Sequence, residues 1–130
     1  MVWARGHASD WDELAGLTGD PGWSYRAVLD VYRDIEDWQG VADASRRGRG
    51  GLVHVEPAGD PSPVAHAFLD AAREIGMPVF DDHNGEAMEG SEGAALVNLR
   101  VRDGRRLSMF RTYVHPVMDR SNLVVLSHAL

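Results

Sequence analysis

A chain of 130 residues with 44% apolar and 25% charged residues is about one domain's worth of globular protein, long enough to bury its own core. Its formal net charge of −7 opposes broad affinity for nucleic acid or anionic lipid, so neither is an expected partner. All thirteen basic residues are arginine and cysteine is absent, which removes Schiff bases, a P-loop lysine, disulfides and thiolate chemistry. No apolar run approaches membrane-spanning length, and the cytoplasm is the default location.

Met1 to Ala4 opens the chain as an apolar extended run. Chain ends usually lie loose in water, so an apolar start suggests a beginning inside a larger unit. Ser9 is placed to cap a short helix through Leu17, with Asp10, Asp12 and Glu13 at its positive end and Gly19 beyond it. Asp20-Pro21-Gly22 is a turn, after which Ser24 caps a helix predicted from Tyr25 to Trp38. Its Val28, Tyr32 and Ile35 recur at helical spacing. Asp43 to Gly51 is a polar, Arg- and Gly-rich loop, and Leu52 to Glu56 a short strand.

Ser62 and Pro63 mark the clearest helix start, with Val64, Phe68, Leu69, Ala72 and Ile75 as the expected core face and Gly76 as the stop. Pro78 to Gly93 reads as a long acidic loop and Ala94 to Arg102 as a strand. Asp103-Gly104 signals a hairpin leading back through Arg105 to Leu107. Ser108 caps a last helix ending near Pro116, and Asn122 to Ser127 is predicted as a strand. Helices and strands mix without regular alternation, so the fold class is α+β.

No Gly-x-Gly-x-x-Gly occurs; Gly48-Arg49-Gly50-Gly51 lacks both the third glycine and a preceding strand. The histidines, His7, His54, His66, His83, His115 and His128, offer no i, i+4 zinc pair. Arg46 to Gly51 is a single short arginine–glycine tract, more often a solvated loop than an RNA site. The carboxylates of Asp81, Asp82, Glu86, Glu89 and Glu92 miss the alternate positions of a calcium loop. His115 has no visible partner, and Arg105-Arg106 could hold an anion or pair with the chain's own acids. The residues alone describe an α+β domain without a complete active site.

Taken together, several stretches carry a resemblance. Met1-Val2-Trp3-x-Arg5-Gly6 with Asp10-Trp11-Asp12, then Gly22-Trp23-Ser24-Tyr25 with Val28-Leu29 and Tyr32, are similar to the glucose–methanol–choline (GMC) flavin oxidoreductases. So are Asn84-Gly85 with Glu89-Gly90, and Asp103-Gly104-Arg105-Arg106-x-Ser108 with Tyr113, Pro116 and Arg120-x-Asn122-Leu123. Their order spans essentially the whole chain, with a lean toward choline-dehydrogenase-like members.

The resemblance implies FAD as cofactor, a small-molecule alcohol as substrate and hydride transfer from its CH–OH group to the flavin. It implies that residues 1–130 are a partial N-terminal region of the two-domain fold, part flavin-site wall and part substrate domain. The dinucleotide fingerprint would lie upstream and the catalytic histidine far downstream. No catalytic role passes to His115, His128 or any other residue here. Val2 is the best-matched flavin-contacting position, Met1 the second and Trp3 the third; Val2 and Met1 would act mainly through backbone and packing. Two alternatives accompany this expectation. One is a split subunit assembling with the remainder of the fold as a separate chain; the other is a non-catalytic interaction module.

Overall fold

The computed structural model describes residues 2–90 and 92–128, so Met1 lies outside the described residues. The first strand, β1 (Val2–Trp3), leads into helix α1 (Ala8–Thr18). His7 caps α1 in place of the expected Ser9: its Nδ1 accepts from the Ser9 N–H at 3.2 Å. Gly19 closes α1 in the left-handed region at φ 69°, which only glycine occupies without strain. A 3-10 turn at Pro21–Trp23 then delivers Ser24, whose side chain caps α2 (Tyr25–Ile35).

Helix α2 stops three residues short of the expected Trp38, because Glu36–Trp38 turns extended as β2 and pairs in parallel with β3 (Val53–Val55). The reason is local. An extended Glu36 sends its carboxylate inward to meet buried arginines, and Trp38 follows it into the core. The Arg- and Gly-rich loop between these strands packs against the end of α2. A Cβ on Gly48 would sit 1.7 Å from the Arg33 carbonyl oxygen, and one on Gly51 would sit 2.2 Å from the Ile35 carbonyl carbon. Glycine is required at both points by close backbone approach.

The expected strand from Ala94 to Arg102 is broken into short pieces. β4 (Val79–Phe80) arises inside the supposed acidic loop and pairs in parallel with β5 (Ala94–Ala95). β6 (Asn98–Leu99) pairs antiparallel with β1, Val2 opposite Leu99 and Trp3 opposite Asn98. Leu99 also exchanges backbone hydrogen bonds with Glu56, at 2.8 and 2.9 Å, which ties β1 and β6 to the end of β3. β7 (Val101–Arg102) and β8 (Arg105–Arg106) form the expected hairpin over Asp103-Gly104. A chain that changes partner every two or three residues reads as one strand from sequence, because β propensity does not encode which neighbour is paired.

Helix α3 (Pro63–Glu74) begins at Ser62 and Pro63 as expected. Its partnered face differs from the expected one. Ala72 is its buried residue, with Ala65 and Leu69 half-covered, whereas Val64, Phe68 and Ile75 are each 75% exposed or more. Helical spacing was legible, but the covered strip of the helix that packs on β4 and β5 is Ala65, Leu69 and Ala72.

Ser108 accepts from the Arg111 N–H at 3.2 Å, and the last helical stretch is π-helical over Phe110–Val114 rather than α. Among the described residues, Leu123 to Ser127 joins no ladder, contrary to the expected strand, and Val124 and Leu126 are exposed. The fold is mixed helix and strand. Its apolar core is small: Trp3, Trp38, Val53 and Val55, flanked by Tyr32 and Ile35. The Trp3 ring meets Tyr32 edge-on at 6.0 Å, and Trp11 meets Tyr32 and Trp23 at 6.3 Å each.

Candidate functional site

Adjacent residues of a strand point to opposite sides, and β1 uses this fully. Val2 faces outward and is 52% exposed; Trp3 faces inward and is 9% exposed. β6 occupies one edge of β1, and among the described residues no strand pairs with the other. The outer surface of β1 is thus an apolar side chain beside an open backbone edge.

Behind β1 lies a polar network more extensive than the apolar core. Glu36, wholly buried, receives three bonds: Trp3 Nε1–H at 2.9 Å, Arg5 Nη2–H at 2.7 Å and Arg47 Nη1–H at 2.7 Å. Arg47 also grips Asp82 with its fork, Nε and Nη2 each at 2.7 Å, and donates to Asn98 Oδ1. The charges balance, two guanidiniums against two carboxylates, as burial demands. The Arg47 guanidinium lies 3.8 Å from the Trp38 ring centroid and that of Arg5 lies 5.1 Å from Tyr32. Burial pulls the Arg5 guanidinium below its ordinary value, with Glu36 opposing the shift.

Asn84 completes the network from the far loop. Its Oδ1 accepts from the Arg5 N–H at 2.7 Å, and its Nδ2 donates to the Trp3 carbonyl at 2.7 Å and to Asn98 Oδ1 at 2.6 Å. His7 reaches the same loop, its Nε2 bonded to the Gly90 carbonyl. Beside them Arg100 is buried against the Trp3 ring at 5.7 Å and donates to Thr112 Oγ1 at 2.9 Å. Burial lowers the pKa of Arg100.

The structure leaves Val2 facing outward but turns Trp3 inward, its indole on Glu36 and its carbonyl on Asn84. The acidic loop is occupied by the chain's own arginines, Asp82 by Arg47 and Glu89 by Arg46 at 2.8 Å. His115 is exposed at the start of a 3-10 turn. Glu36, Arg47, Asp82 and Asn98 were not legible as site residues, since each sits in a stretch that reads as helix end, solvated loop or strand. Asn84, before a glycine, was the one with a visible signal.

The profile of the GMC oxidoreductase family matches residues 1–130, and the chain belongs to that family. It is 35% identical over 123 residues to an oxygen-dependent choline dehydrogenase of Brucella ovis, a match covering 95% of this chain and 22% of that protein. With the corresponding enzyme of Rhizobium meliloti it shares 36% identity over 126 residues, with the same coverage. Among solved structures, pyridoxine 4-oxidase from Mesorbium loti superposes with a TM-score of 0.82 at 33% identity, over 97% of this chain and 24% of that one. Formate oxidase from Aspergillus oryzae, at 16% identity and a TM-score of 0.69 over 88% of this chain and 20% of that one, shares the fold. The chain thus spans about a fifth of the length of these relatives.

FAD is the cofactor implied by the family. The residues present would suit one part of it: Val2, exposed, beside the edge of β1 that no described strand occupies, could pack against one face of a planar ring. A phosphate cradle of the Gly-x-Gly-x-x-Gly kind is absent from the chain. No helix among the described residues is long and apolar enough to cross a membrane.

Proposed function

We propose that this chain, residues 1–130, is a partial N-terminal region of an FAD-dependent oxidoreductase acting on the CH–OH group of a small alcohol. Within that enzyme it forms part of the flavin-site wall and part of the substrate domain. The observation that carries the reading is the family match over residues 1–130, coupled to an edge strand whose exposed Val2 is backed by a buried network.

FAD, when bound, supplies the hydride acceptor for alcohol oxidation. The chain's own residues do three things. Val2 would meet the ring through backbone atoms and packing, and Met1, outside the described residues, is proposed as its neighbour in that contact. Trp3 would support the contact from behind, its indole anchored inward on Glu36 and its carbonyl on Asn84. The network behind them would hold the strand in place under that contact. The base that takes the hydroxyl proton is a histidine outside this chain, and the pyrophosphate is held elsewhere in the fold.

The names of the relatives favour a choline-like or pyridoxine-like primary alcohol as the substrate class. Exposed Val64, Phe68 and Ile75 at α3, and Val124 and Leu126 separately, support further protein covering these positions. That cover is either more of the same chain or a separate chain carrying the remainder of the fold. The cytoplasm is the compartment proposed, to be checked by cell fractionation.

The test is a flavin titration. The 130-residue chain alone should bind FAD weakly and leave alcohols unoxidised. Joined to, or assembled with, the fingerprint-bearing part of the fold, it should show visible flavin absorbance that an alcohol bleaches anaerobically. Tight stoichiometric FAD on the chain alone, or a colourless assembly, would sink the reading.

A further inference from the structure

Trp3 is held at two points by groups far away in sequence. Its carbonyl accepts from Asn84 Nδ2 at 2.7 Å, and its indole N–H reaches Glu36 at 2.9 Å. One attachment grips the backbone and the other the tip of the side chain, so β1 can neither roll nor slide without breaking a buried bond. Asn84 is wholly buried, and its amide serves both sides of Ala4, accepting from the Arg5 N–H while donating to the Trp3 carbonyl. A carboxylate of the same shape would keep the first bond and lose the second. The outward face of Val2 follows directly, because its direction is set by the roll of the strand.

We propose that Asn84, with Glu36 behind it, is a positioning residue for the flavin wall. This assignment rests on the reading that β1 faces the flavin. Neither side chain touches the cofactor; both act through Trp3. They preset the height and roll of β1, so that Val2 and the open edge meet the ring plane without rearranging when the cofactor binds. The buried polar network thereby acquires a purpose that stability alone does not require, since an apolar filling of similar volume would often serve stability as well.

The test uses Asn84→Asp, which keeps shape and acceptor but removes the Nδ2 donor. In the 130-residue chain, each tryptophan gives its own indole N–H signal. Trp38, whose indole donates to the Val41 carbonyl at 2.8 Å, is the internal reference. Asn84→Asp should speed exchange of the Trp3 indole about tenfold, the scale of one buried hydrogen bond, and leave Trp38 at its wild-type rate. Equal acceleration at both indoles would reduce Asn84 to a general stabiliser and overturn the proposal, as would no change at either.

A second arm uses the flavin-loaded assembly. There the variant should retain FAD but alter its visible circular dichroism, because the ring would meet a looser wall. An unchanged flavin spectrum beside a loosened Trp3 overturns the positioning role. A wild-type assembly without flavin overturns the functional reading as well, and the indole result tells the two failures apart. Should Asn84→Asp not fold, Asn84→Ala takes its place, since it removes both the acceptor for Arg5 and the donor to Trp3.

Discussion

Trp3 and Glu36 lie 33 positions apart, yet the indole N–H of one meets the carboxylate of the other at 2.9 Å, out of contact with water. The same carboxylate neutralises Arg5 and Arg47, which themselves are almost fully buried. Removing it would leave Arg5 without a counter-charge in the interior and Arg47 with Asp82 alone. Glu36→Ala should therefore cost about 3–5 kcal/mol, the range for breaking a buried ion pair by deleting one partner. That is a large share of the ~5–15 kcal/mol that holds a typical domain together. A urea titration followed by tryptophan fluorescence measures it. A midpoint equal to wild type would mean that the network is not what holds Trp3 and Trp38 in place.

The hairpin between β7 and β8 turns on two residues in the left-handed region, Asp103 at φ 52° and Gly104 at φ 69°. Two consecutive positive φ values are the signature of the tight turn that matches strand twist. A Cβ on Gly104 would meet nothing within 4 Å, so its cost is backbone strain alone. Gly104→Ala should destabilise by about 1 kcal/mol and Asp103→Asn should be nearly neutral. Thermal melts of the two variants check this; a larger loss for Asp103→Asn would reverse the argument.

Acid should weaken a specific surface joint. Hydrogen bonds from Arg46 hold the Glu89 carboxyl below the usual carboxylate range, and the Ser45 hydroxyl does the same for Asp43. Both folded values are depressed, so this stability is present above about pH 4 and is lost as pH falls through the lower folded values. The side chains are about a third exposed, which limits the effect to roughly 0.5–1 kcal/mol. Burial, with Glu89 next, pushes the Tyr25 hydroxyl up to about 12. Stability therefore also falls as pH rises above about 10, the ordinary tyrosine value. Denaturant midpoints against pH should show both limbs, and Arg46→Met should flatten the acid one. An acid limb identical in that variant would count against the assignment.

Exposed apolar residues predict behaviour in solution. Phe68 on α3 and Leu126 near the end of the chain are 75% and 78% exposed. Phe68→Ser and Leu126→Ser should shift stability by no more than ~0.5 kcal/mol, as befits surface positions. Both should reduce concentration-dependent association, read by light scattering. Association that persists in the double variant would locate the adhesive surface elsewhere.

Much of the fold follows from local chemistry. Ser24, Ser62-Pro63, Gly19 and Asp103-Gly104 set their caps and turns through their own backbone preferences, and those elements start or stop where expected. Non-local partners were not legible. Nothing near Glu36 announces that it would leave a helix to meet Arg5 and Arg47. The sequence from Ala94 to Arg102 cannot show that its neighbours change twice. The α3 stripe shows a helical period, but which strip is covered depends on β4 and β5, which pair across an acidic loop. For the site, Val2 came from a family pattern, whereas Asn84 acquired its role only when its amide was seen between Arg5 and Trp3.

The placement of β1 also bears on the order in which the molecule comes together. Val2 and Trp3 are the first described residues to be synthesised, but the strand they pair with is Asn98–Leu99 and the amide that grips them belongs to Asn84. Contacts this distant are slow to form, because the intervening loop must be closed before they give any return. At ~5–20 residues per second the partners emerge from the ribosome on the order of ten seconds later. During that interval Val2 and Trp3 lack the partners that hold them in the folded structure. β1 is therefore settled late, and until Asn84 and Asn98–Leu99 arrive it is open to chaperone capture or misassembly.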